Sequence, residues 1–418
     1  MRKWLIWLVL LASGTPAFAQ ANLKIMHYNL LNFGDCSGVT VQEKYSWLGT
    51  ILDHYRPDIF TVNELHPNQI FTNGIKSLSF SYSNQIAAPT FTNEANSPIV
   101  NNIFYNEGLL DLTDSEVIAN SLRDINVYQL YVKGTGTGSS TDSVFIYCIV
   151  AHFKAQNNSS AASQRAAAAT SIMNWRNAHP EAEYVLMMGD LNVYAASEAA
   201  FQTLVFNSNS TIRFEDPAGL ENGWNGSSNA IHHTQSTRNS SSDCGSGGGM
   251  DDRFDMILAS QPMMDGNHPV QYVTDSYAAY GNIGTSYNSQ LTCTGSIPVP
   301  FTVCLNLRRM SDHLPVIMEV SVAGAVGLAD RLWQKDLNLR LPKQPFTESL
   351  SVIWDIDEPT NRNLEARIFN PMGQAVYQNR IEGGQAQVNL SQVPAGVYIL
   401  QLKNQAGRLI QKKIWKQA

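Results

Sequence analysis

Polar side chains able to bind a metal or move a proton stand at the ends of several apolar, strand-like segments. Asp190 and Asn192 lie in "MMGDLN", and Asp312 and His313 directly precede "LPVIMEV". The other members of this set are Asn29, Asn32, Glu64, His152 and Asp255. Because ligands collect outside the carboxyl ends of strands in open α/β sheets, we expect these side chains to meet at one edge.

The chemistry of this set is that of hard oxygen donors accompanied by two histidines. Carboxylate and amide oxygens are the ligands that Mg²⁺ prefers, with Mn²⁺ and Ca²⁺ as the alternatives. The chain contains five cysteines but no CxxC motif, which argues against a zinc ribbon or a thioredoxin motif. The pattern therefore predicts a divalent-cation site with proton-transfer groups beside it.

Each of these residues also has a purely structural interpretation. Glu64 alone is typical of a solvated strand-end charge, His152 of a hydrogen-bonded histidine at the rim of a core, and "GDLN" of a turn. The triplet "SDH" at residues 311–313 could simply cap its strand. Because six separate segments end in such groups, the combination favours a functional site.

The region from Leu23 to about Val322 is predicted to contain short strands, loops and a few helices. Its strand-like segments are rich in Val, Ile, Phe and Tyr, and they are "LKIMHYNLL", "DIFTVNEL", "NNIFYNEGLL", "INVYQLYV", "SVFIYCIVAHF", "EYVLMMGDLNV", "RFDMILA" and "HLPVIMEVSV". An alanine-rich helix, opened by serines and ended by Pro180, is predicted between the fifth and sixth segments. A long polar loop, "NGWNGSSNAIHHTQSTRNSSSDCGSGGGMD", follows, and loops of that length are usually functional or mobile.

The two ends of the chain differ from this region. Residues 1–20 have two basic residues, an apolar run and a small-residue site, which predicts a secretory signal peptide, with an uncleaved anchor as the alternative. No other stretch is apolar enough to cross a membrane. After a linker at 323–343, residues 344–418 form six strand-like segments punctuated by glycines, which predicts a small all-β sandwich. Residues 21–322 are then the larger domain.

Export would place the cysteines in an oxidising compartment, where their number allows two disulfides and one free thiol. Cys148 lies inside a strand-like segment and is expected to be the buried free thiol. Cys293 and Cys304 bracket a loop that contains proline, and they are the expected pair.

Charge is unevenly distributed along the chain. The whole chain carries −7, the first twenty residues contribute +2 and residues 341–418 contribute +3, which leaves −12 for the part between. A body this acidic repels phosphate polymers unless bound cations cover its carboxylates.

Six motifs together resemble a known family. In chain order, "NLLNFG", "VNELH", "AHFKA", "GDLNVY", "RFDMIL" and "SDHLPV" resemble the motif set of the endonuclease/exonuclease/phosphatase superfamily. The resemblance covers about residues 23–322 and implies a four-layered α/β sandwich of two packed mixed sheets, with the site at one edge. It also implies a divalent metal held by Asn29 and Glu64 with help from Asp312.

The resemblance implies roles for the remaining side chains. Asp190 would orient or deprotonate the attacking water, and Asn192 would hold a phosphate oxygen. His313, oriented by Asp255, would act with His152 to stabilise the pentacovalent phosphorus and aid departure of the leaving oxygen.

Two positions depart from the family pattern or leave it open. No carboxylate before "NNIFYN" supports His152, as one would in deoxyribonuclease I. Arg123 in "SLRDINVY" resembles a phosphate-contacting arginine of the nuclease branch, and a surface ion pair with Asp124 or a neighbouring residue is the alternative.

The tail carries a second resemblance. Residues 344–418, with "RIFNPMGQAVY", "PAGVYIL" and a basic finish, resemble the C-terminal sorting domain of the type IX secretion system. We therefore expect an interaction with that secretion machinery and a secreted or cell-surface location, reached through the periplasm.

These features predict an exported, Mg²⁺-dependent phosphodiesterase, most simply a nuclease (endonuclease) acting on extracellular DNA or RNA, monomeric and without a membrane-spanning segment after signal removal. A phosphatase or a sphingomyelinase-like lipid phosphodiesterase is the alternative. The acidic body of the chain and the absence of a basic stripe with interleaved aromatic residues favour this alternative. An inactive surface binding or adhesion module is the third possibility, and the full set of metal and histidine residues argues against it.

Overall fold

The computed structural model describes residues 20–78, 86–133, 135, 143–220, 223–323, 337–342, 344–356, 359–370, 374–405 and 409–417. Most of the predicted signal peptide, residues 1–19, and most of the predicted linker, residues 324–336, lie outside the described residues. The first strand begins at Gln20. None of the helices in the described ranges combines the length and the apolar character needed to cross a membrane.

The described part of residues 20–323 contains thirteen strands and five α-helices. The strands are β1 (Gln20–Phe33), β2 (Ile59–Leu65), β3 (Ile86–Ala87), β4 (Val100–Asn106), β5 (Leu110–Ala119), β6 (Ile125–Val132), β7 (Phe145–His152), β8 (Tyr184–Asp190), β9 (Phe214–Glu215), β10 (Asp255–Ser260), β11 (Val270–Tyr272), β12 (Ala278–Ala279) and β13 (Val316–Ala323). The helices are α1 (Val41–Tyr55), α2 (Gln69–Leu78), α3 (Ser159–Ala178), α4 (Ala199–Val205) and α5 (Phe301–Met310).

These strands form two mixed sheets. One sheet has the order β11-β13-β1-β2-β4-β3, with β12 paired to β13, and the other has the order β5-β6-β7-β8-β10-β9. β1 is parallel to β2 and β7 is parallel to β8, whereas β13 and β10 run antiparallel to β1 and β8. The carboxyl ends of the parallel pairs therefore lie beside the amino ends of β13 and β10.

Apolar side chains on both faces of each sheet form three cores. The core between the sheets joins Ile25 and Ile59 of the first sheet to Cys148, Leu186 and Ile257 of the second. Helices α1, α2 and α5 cover the outer face of the first sheet, and α3 and α4 cover the outer face of the second. The fold is the four-layered α/β sandwich predicted from the sequence, and its central strands are continuous apolar runs because both of their faces are buried.

The helices begin where the chain supplies capping side chains. Thr40 and Glu43 form a capping box at α1, and the side chain of Asn158 accepts from the backbone N–H of Ala161 at α3. The helix α3 is the predicted alanine-rich helix, and it ends at Ala178, before Pro180.

The eight strand-like segments predicted for this unit correspond to β1, β2, β4, β6, β7, β8, β10 and β13. The prediction missed β3, β9, β11 and β12, which have two or three residues each and too little length for a pattern. It also missed most of β5, an edge strand whose side chains are largely exposed and therefore polar.

The cysteines behave as expected. Cys293 is joined to Cys304, and Cys148 is a buried free thiol. A second disulfide joins Cys36 to Cys244 across 208 positions of the chain.

Residues 337–417 fold around a core of their own. Their strands are β14 (Ser349–Ile353), β15 (Asn363–Phe369), β16 (Ala375–Glu382), β17 (Gln385–Asn389), β18 (Gly396–Lys403) and β19 (Leu409–Lys416). The pair β14-β17 packs on the sheet β16-β15-β18-β19 through a shared apolar core, which makes the predicted small all-β sandwich. Leu337 is fully buried in this core, so the folded unit includes residues 337–342, which the sequence assigns to the linker.

A chain truncated after Val322 should fold by itself, because the three cores of the larger unit contain no residue of 337–417. We expect cooperative thermal unfolding within about 5 °C of the intact chain, measured by circular dichroism. A chain truncated after Met310 is the control, since it lacks β13, which pairs with β1, β11 and β12 in the first sheet, and it should not fold. Loss of near-ultraviolet dichroism in the first truncation would show that the tail is needed for packing.

Candidate active site

The candidate residues meet at one end of the space between the two sheets. They come from the ends of β1, β2, β7, β8 and β10 and from the segments that flank β6, β8 and β13. The side chains brought together are Asn29, Glu64, Arg123, His152, Asp190, Asn192, Asp255, Asp312 and His313. Their common position follows from the strand directions, which bring these ends to the same edge.

The side-chain amide of Asn29 links two carboxylates. Its Nδ2 donates to Glu64 Oε1 and to Asp190 Oδ2, each at 3.0 Å. Its Oδ1 accepts from the backbone N–H of Leu31 at 3.0 Å. In this structure the amide nitrogen of Asn29 therefore positions the two carboxylates, and the metal-ligand role that the family resemblance implies for Asn29 stays a prediction.

The backbone is left-handed at three of the candidate residues. The φ angles are +44° at Asn32, +59° at Glu64 and +49° at Asn192, a region that costs a non-glycine residue about 1–3 kcal/mol. Hydrogen bonds to carboxylates hold these turns: Asn32 N–H donates to Glu64 Oε2 at 2.9 Å, and Asn192 N–H donates to Asp190 Oδ1 at 3.1 Å. The same two hydrogen bonds fix the carboxylates of Glu64 and Asp190, which face the site.

The carboxyl group of Asp190 lies at the centre of the cluster. Burial raises the pKa of Asp190 to about 7. The nearby charge of His313 lowers this pKa, but the charges of Asp255 and Glu64 raise it again. Besides accepting from Asn29, its Oδ2 lies 3.4 Å from His152 Nε2 and 3.8 Å from His313 Nε2. A carboxyl group whose pKa is close to neutrality is suited to taking up and releasing a proton.

His313 is held by a carboxylate. Its Nδ1 is 2.7 Å from Asp255 Oδ2, and both side chains are buried. Burial by itself lowers the pKa of His313, but the charges of Asp255 and Asp190 raise it well above its ordinary value. A histidine paired in this way keeps one orientation and gains basicity.

His152 is a neutral histidine facing the same carboxylates. Its Nε2 lies 3.4 Å from Asp190 and 3.8 Å from Glu64 Oε1, while its buried Nδ1 has no hydrogen-bond partner among the described residues. Burial, with the nearby charge of Arg123, lowers the pKa of His152 well below its ordinary value. The absence of a partner for His152 Nδ1 among the described residues agrees with the absence of a carboxylate before "NNIFYN" in the sequence.

The two carboxylate oxygens of Asp312 differ in their hydrogen bonds. Its Oδ2 accepts from Ser246 N–H at 2.7 Å and from Gln235 Nε2 at 3.3 Å. Its buried Oδ1 has no hydrogen-bond partner in the described ranges. Since an unpaired buried carboxylate oxygen is costly, this atom fits a site for a bound cation.

Two overlapping groups of side chains could hold a metal ion. Ligand atoms of Glu64, His152 and Asp190 lie within 4.8 Å of one another, and so do those of Asp190, Asp255 and His313. Oxygen atoms predominate in the combined donor set, which suits a hard divalent cation.

Arg123 and Asn192 lie against one stretch of backbone. Arg123 Nη1 donates to the carbonyls of His152 and Phe153 at 3.3 and 3.2 Å, and Asn192 Nδ2 donates to Phe153 O at 3.3 Å. The alternative ion pair between Arg123 and Asp124 does not form, because the Asp124 carboxylate accepts from a neighbouring loop instead. Burial lowers the pKa of the Arg123 guanidinium.

Four further residues support the site and were missed by sequence reasoning: Asn63, Gln235, Ser246 and Ser311. Asn63 Oδ1 accepts from Asp190 N–H at 2.9 Å. Ser311 Oγ donates to Asn29 O at 2.7 Å and accepts from His313 N–H at 3.1 Å. Asn63 directly precedes Glu64 and Ser311 directly precedes Asp312 in the sequence, and this position was the available signal for Asn63 and Ser311.

A disulfide links two segments of the chain that border the site. Cys36 follows β1 and Cys244 belongs to the long polar segment, so their bond joins the loop after β1, the strand that contains Asn32, to the loop that carries Ser246. Ser246 lies two positions beyond Cys244, and its N–H is the group bonded to Asp312. The tether therefore connects the surroundings of two carboxylates.

Residues 344–417 match the family described as "Secretion system C-terminal sorting domain". The C-terminal unit is a secretion sorting domain. It implies an interaction with the type IX secretion machinery and points to export to the cell surface or the extracellular space.

Solved structures similar to the chain have the endonuclease/exonuclease/phosphatase fold. D. rerio TDP2 complexed with single strand DNA product has 18% identity, covers 72% of this chain and 99% of its own, and gives a TM-score of 0.48. Truncated Caenorhabditis elegans TDP2 has 16% identity, with 72% and 97% coverage and a TM-score of 0.45. The human Nocturnin catalytic domain with bound sulfate anion has 15% identity, with 73% and 98% coverage and a TM-score of 0.44. Likeness at this level concerns the fold alone, and comparison with curated proteins gives no match.

Replacing Cys36 and Cys244 together by serine should weaken divalent-cation binding, because the disulfide joins the end of β1, where Asn32 N–H holds Glu64, to the loop whose Ser246 N–H holds Asp312. We expect the rise in melting temperature caused by a fixed Mn²⁺ concentration to fall by about half, measured by calorimetry.

The matched control replaces Cys293 and Cys304, whose disulfide closes a separation of only 11 residues. It should lower the melting temperature but preserve the rise caused by Mn²⁺. An equal loss of that rise in both variants would mean that the Cys36–Cys244 bond has no special connection to the site.

Proposed function

We propose that the protein is an exported, divalent-cation-dependent phosphodiesterase that cleaves extracellular DNA or RNA as an endonuclease. The larger unit would carry the reaction and the sorting domain would serve export. The observation that carries this proposal is the convergence of the His313–Asp255 pair with carboxylate oxygens of Glu64, Asp190 and Asp312.

The side chains would share the proton transfers of hydrolysis. Asp190, with its pKa of about 7, would orient the attacking water and take its proton as the water oxygen bonds to phosphorus. The bond from phosphorus to the leaving oxygen would break, and that oxygen would take a proton from His313, which Asp255 orients at 2.7 Å. His152, neutral because it is buried, would add a hydrogen-bond donor at Nε2.

Two further side chains would contact the phosphate group. Asn192 would hold one phosphate oxygen and Arg123 another, since both already lie beside His152. Their present acceptors are backbone carbonyls, which can be exchanged for phosphate oxygens without leaving a buried charge behind.

Glu64 and Asp312 would hold the cation, with Asn29 positioning Glu64. Mg²⁺ is our first assignment because the donors are oxygens, and Mn²⁺ and Ca²⁺ are the alternatives. When bound, the cation would polarise the phosphoryl group and offset charge on its oxygens. The unpartnered Oδ1 of Asp312, among the described residues, supports this assignment.

The charge of the body favours a second candidate. The −12 carried between the predicted signal peptide and the tail opposes a long nucleic acid, whereas a phosphatase or a sphingomyelinase-like lipid phosphodiesterase needs no long basic groove. An inactive adhesion module is a weaker candidate, because it would have no need for a buried His313–Asp255 pair.

Incubation of the purified chain with plasmid DNA, RNA, sphingomyelin and a chromogenic phosphomonoester, each with Mg²⁺, distinguishes these candidates. We expect cleavage of DNA or RNA internally, seen as nicked plasmid before short products. Turnover of sphingomyelin or the monoester alone would favour the second candidate, and no turnover of any substrate would favour the adhesion module.

Chelation should abolish turnover, and Mg²⁺ or Mn²⁺ should restore it, because the assigned ligands are oxygen donors. Full activity in excess chelator would exclude this mechanism.

Glu64→Ala should weaken cation binding, measured by calorimetric titration, while the melting temperature without cation changes little. The control is Asp265→Asn, which removes an exposed carboxylate far from the site and should bind the cation normally.

His313→Ala should lower kcat by roughly 10²- to 10⁴-fold if the imidazole transfers the proton to the leaving oxygen. Asp255→Asn should cost a sizeable part of the same factor. The double variant should be little slower than His313→Ala, because the two side chains act as one unit. Near-normal kcat for His313→Ala would favour the strand-cap interpretation of "SDH".

A further inference from the structure

The contacts of one glutamine beside the site support a positioning role for this residue. The effect that we expect on kcat rests on the proposed function. We infer that Gln235 is a positioning residue, whose single side-chain amide orients the imidazole of His313 and the carboxylate of Asp312 at the same time. Gln235 lies in the long polar segment and belongs to none of the motifs that the sequence singled out.

The contacts of the amide carry this inference. Gln235 Nε2 lies 2.7 Å from His313 Nε2 and 3.3 Å from Asp312 Oδ2. His313 Nδ1 is engaged by Asp255, so Gln235 provides the contact at the other ring nitrogen: its amide N–H₂ donates to Nε2 while Nε2 carries no proton, and a half-turn of the amide presents its oxygen to Nε2–H once the ring is protonated. That ring nitrogen also faces Asp190 Oδ2, at 3.8 Å, and it is therefore the one turned into the site.

The backbone of Gln235 is fixed on both sides. It forms isolated bridges with Asp252 and with His313, and its carbonyl accepts from the N–H groups of Asp251 and Asp252 at 2.9 and 3.1 Å. Two residues further, Thr237 N–H donates to Asp312 O at 3.0 Å. A side chain presented from such a backbone can hold a partner in place, as one on an unsupported loop cannot.

The same segment reaches Asp312 a second time. Ser246 N–H donates to Asp312 Oδ2 at 2.7 Å, and Ser236 Oγ donates to Ser246 O at 2.7 Å. Asp312 Oδ2 is thus held by one side-chain donor and one backbone donor of the polar segment. Gln235 is the member of this arrangement that also touches His313.

Removal of the amide should leave the ring of His313 held at one nitrogen only. The ring could then tilt about its remaining bond to Asp255, and Asp312 would lose one of its two donors. Small errors of orientation at a proton-transfer group reduce the rate more than they reduce substrate binding. We therefore expect a loss in kcat without a matching change in KM.

The test is Gln235→Met, which keeps the length of the side chain and removes its hydrogen bonds. We expect kcat to fall by about 10-fold with KM within about 2-fold of the intact protein. The matched control is Gln129→Met, because Gln129 Nε2 donates to the hydroxyl of Tyr147 at 2.6 Å, outside the site. The control should keep its kcat and KM.

A second measurement does not depend on activity. The ¹⁵N signals of the His313 ring in metal-free protein, assigned by their absence in His313→Gln, report the surroundings of each ring nitrogen. We expect the Nε2 signal to shift in Gln235→Met and to stay unchanged in Gln129→Met.

Unchanged ring signals in Gln235→Met would overturn the inference even if kcat fell, and so would normal kcat in an active enzyme. If the intact protein hydrolyses none of the substrates, the proposed function fails, while the ring signals still decide whether Gln235 positions His313.

Discussion

Four carboxyl groups lie together at one end of the space between the sheets, three of them buried and one partly exposed, and the remainder of the site is arranged around the cost of holding them there. They belong to Glu64, Asp190, Asp255 and Asp312. Like charges repel strongly where water does not screen them. Asn29, His313 and the N–H of Ser246 each offset part of this charge. The raised pKa of Asp190 and the unpartnered oxygens of Asp255 and Asp312, within the described residues, are what those groups leave uncompensated.

The strands that stabilise the fold are also the strands that present this charge. Along β1, Leu23 and Ile25 belong to the apolar core between the sheets, and His27 and Asn29 follow at the same two-residue spacing. Along β8 the core residue Met188 is followed in the same way by Asp190. Each strand therefore carries core and site on one face, so the site inherits the rigidity of the packed sheets.

Much of this arrangement could be predicted from the sequence because it is local to each strand. An apolar run followed by Asp190 or Glu64 is visible in a few neighbouring residues, and strand direction then brings the ends together. The contact between Gln235 and His313 has no such signal, because it depends on how a polar segment without periodicity passes beside a residue 78 positions away that precedes β13. The orientation of the Asn29 amide was likewise beyond prediction, since it is decided by neighbours on three strands.

The bond between Cys36 and Cys244 also gives the assembly of this protein an order in time. Disulfides persist in oxidising compartments and are rare where thiols are kept reduced, and the sorting domain directs this chain out of the cell. While the chain is still in the cytoplasm, the loop after β1 and the polar segment have no covalent link. The cross-link beside the site is therefore expected to close only after the newly made chain has left the compartment that holds the cell's own nucleic acids.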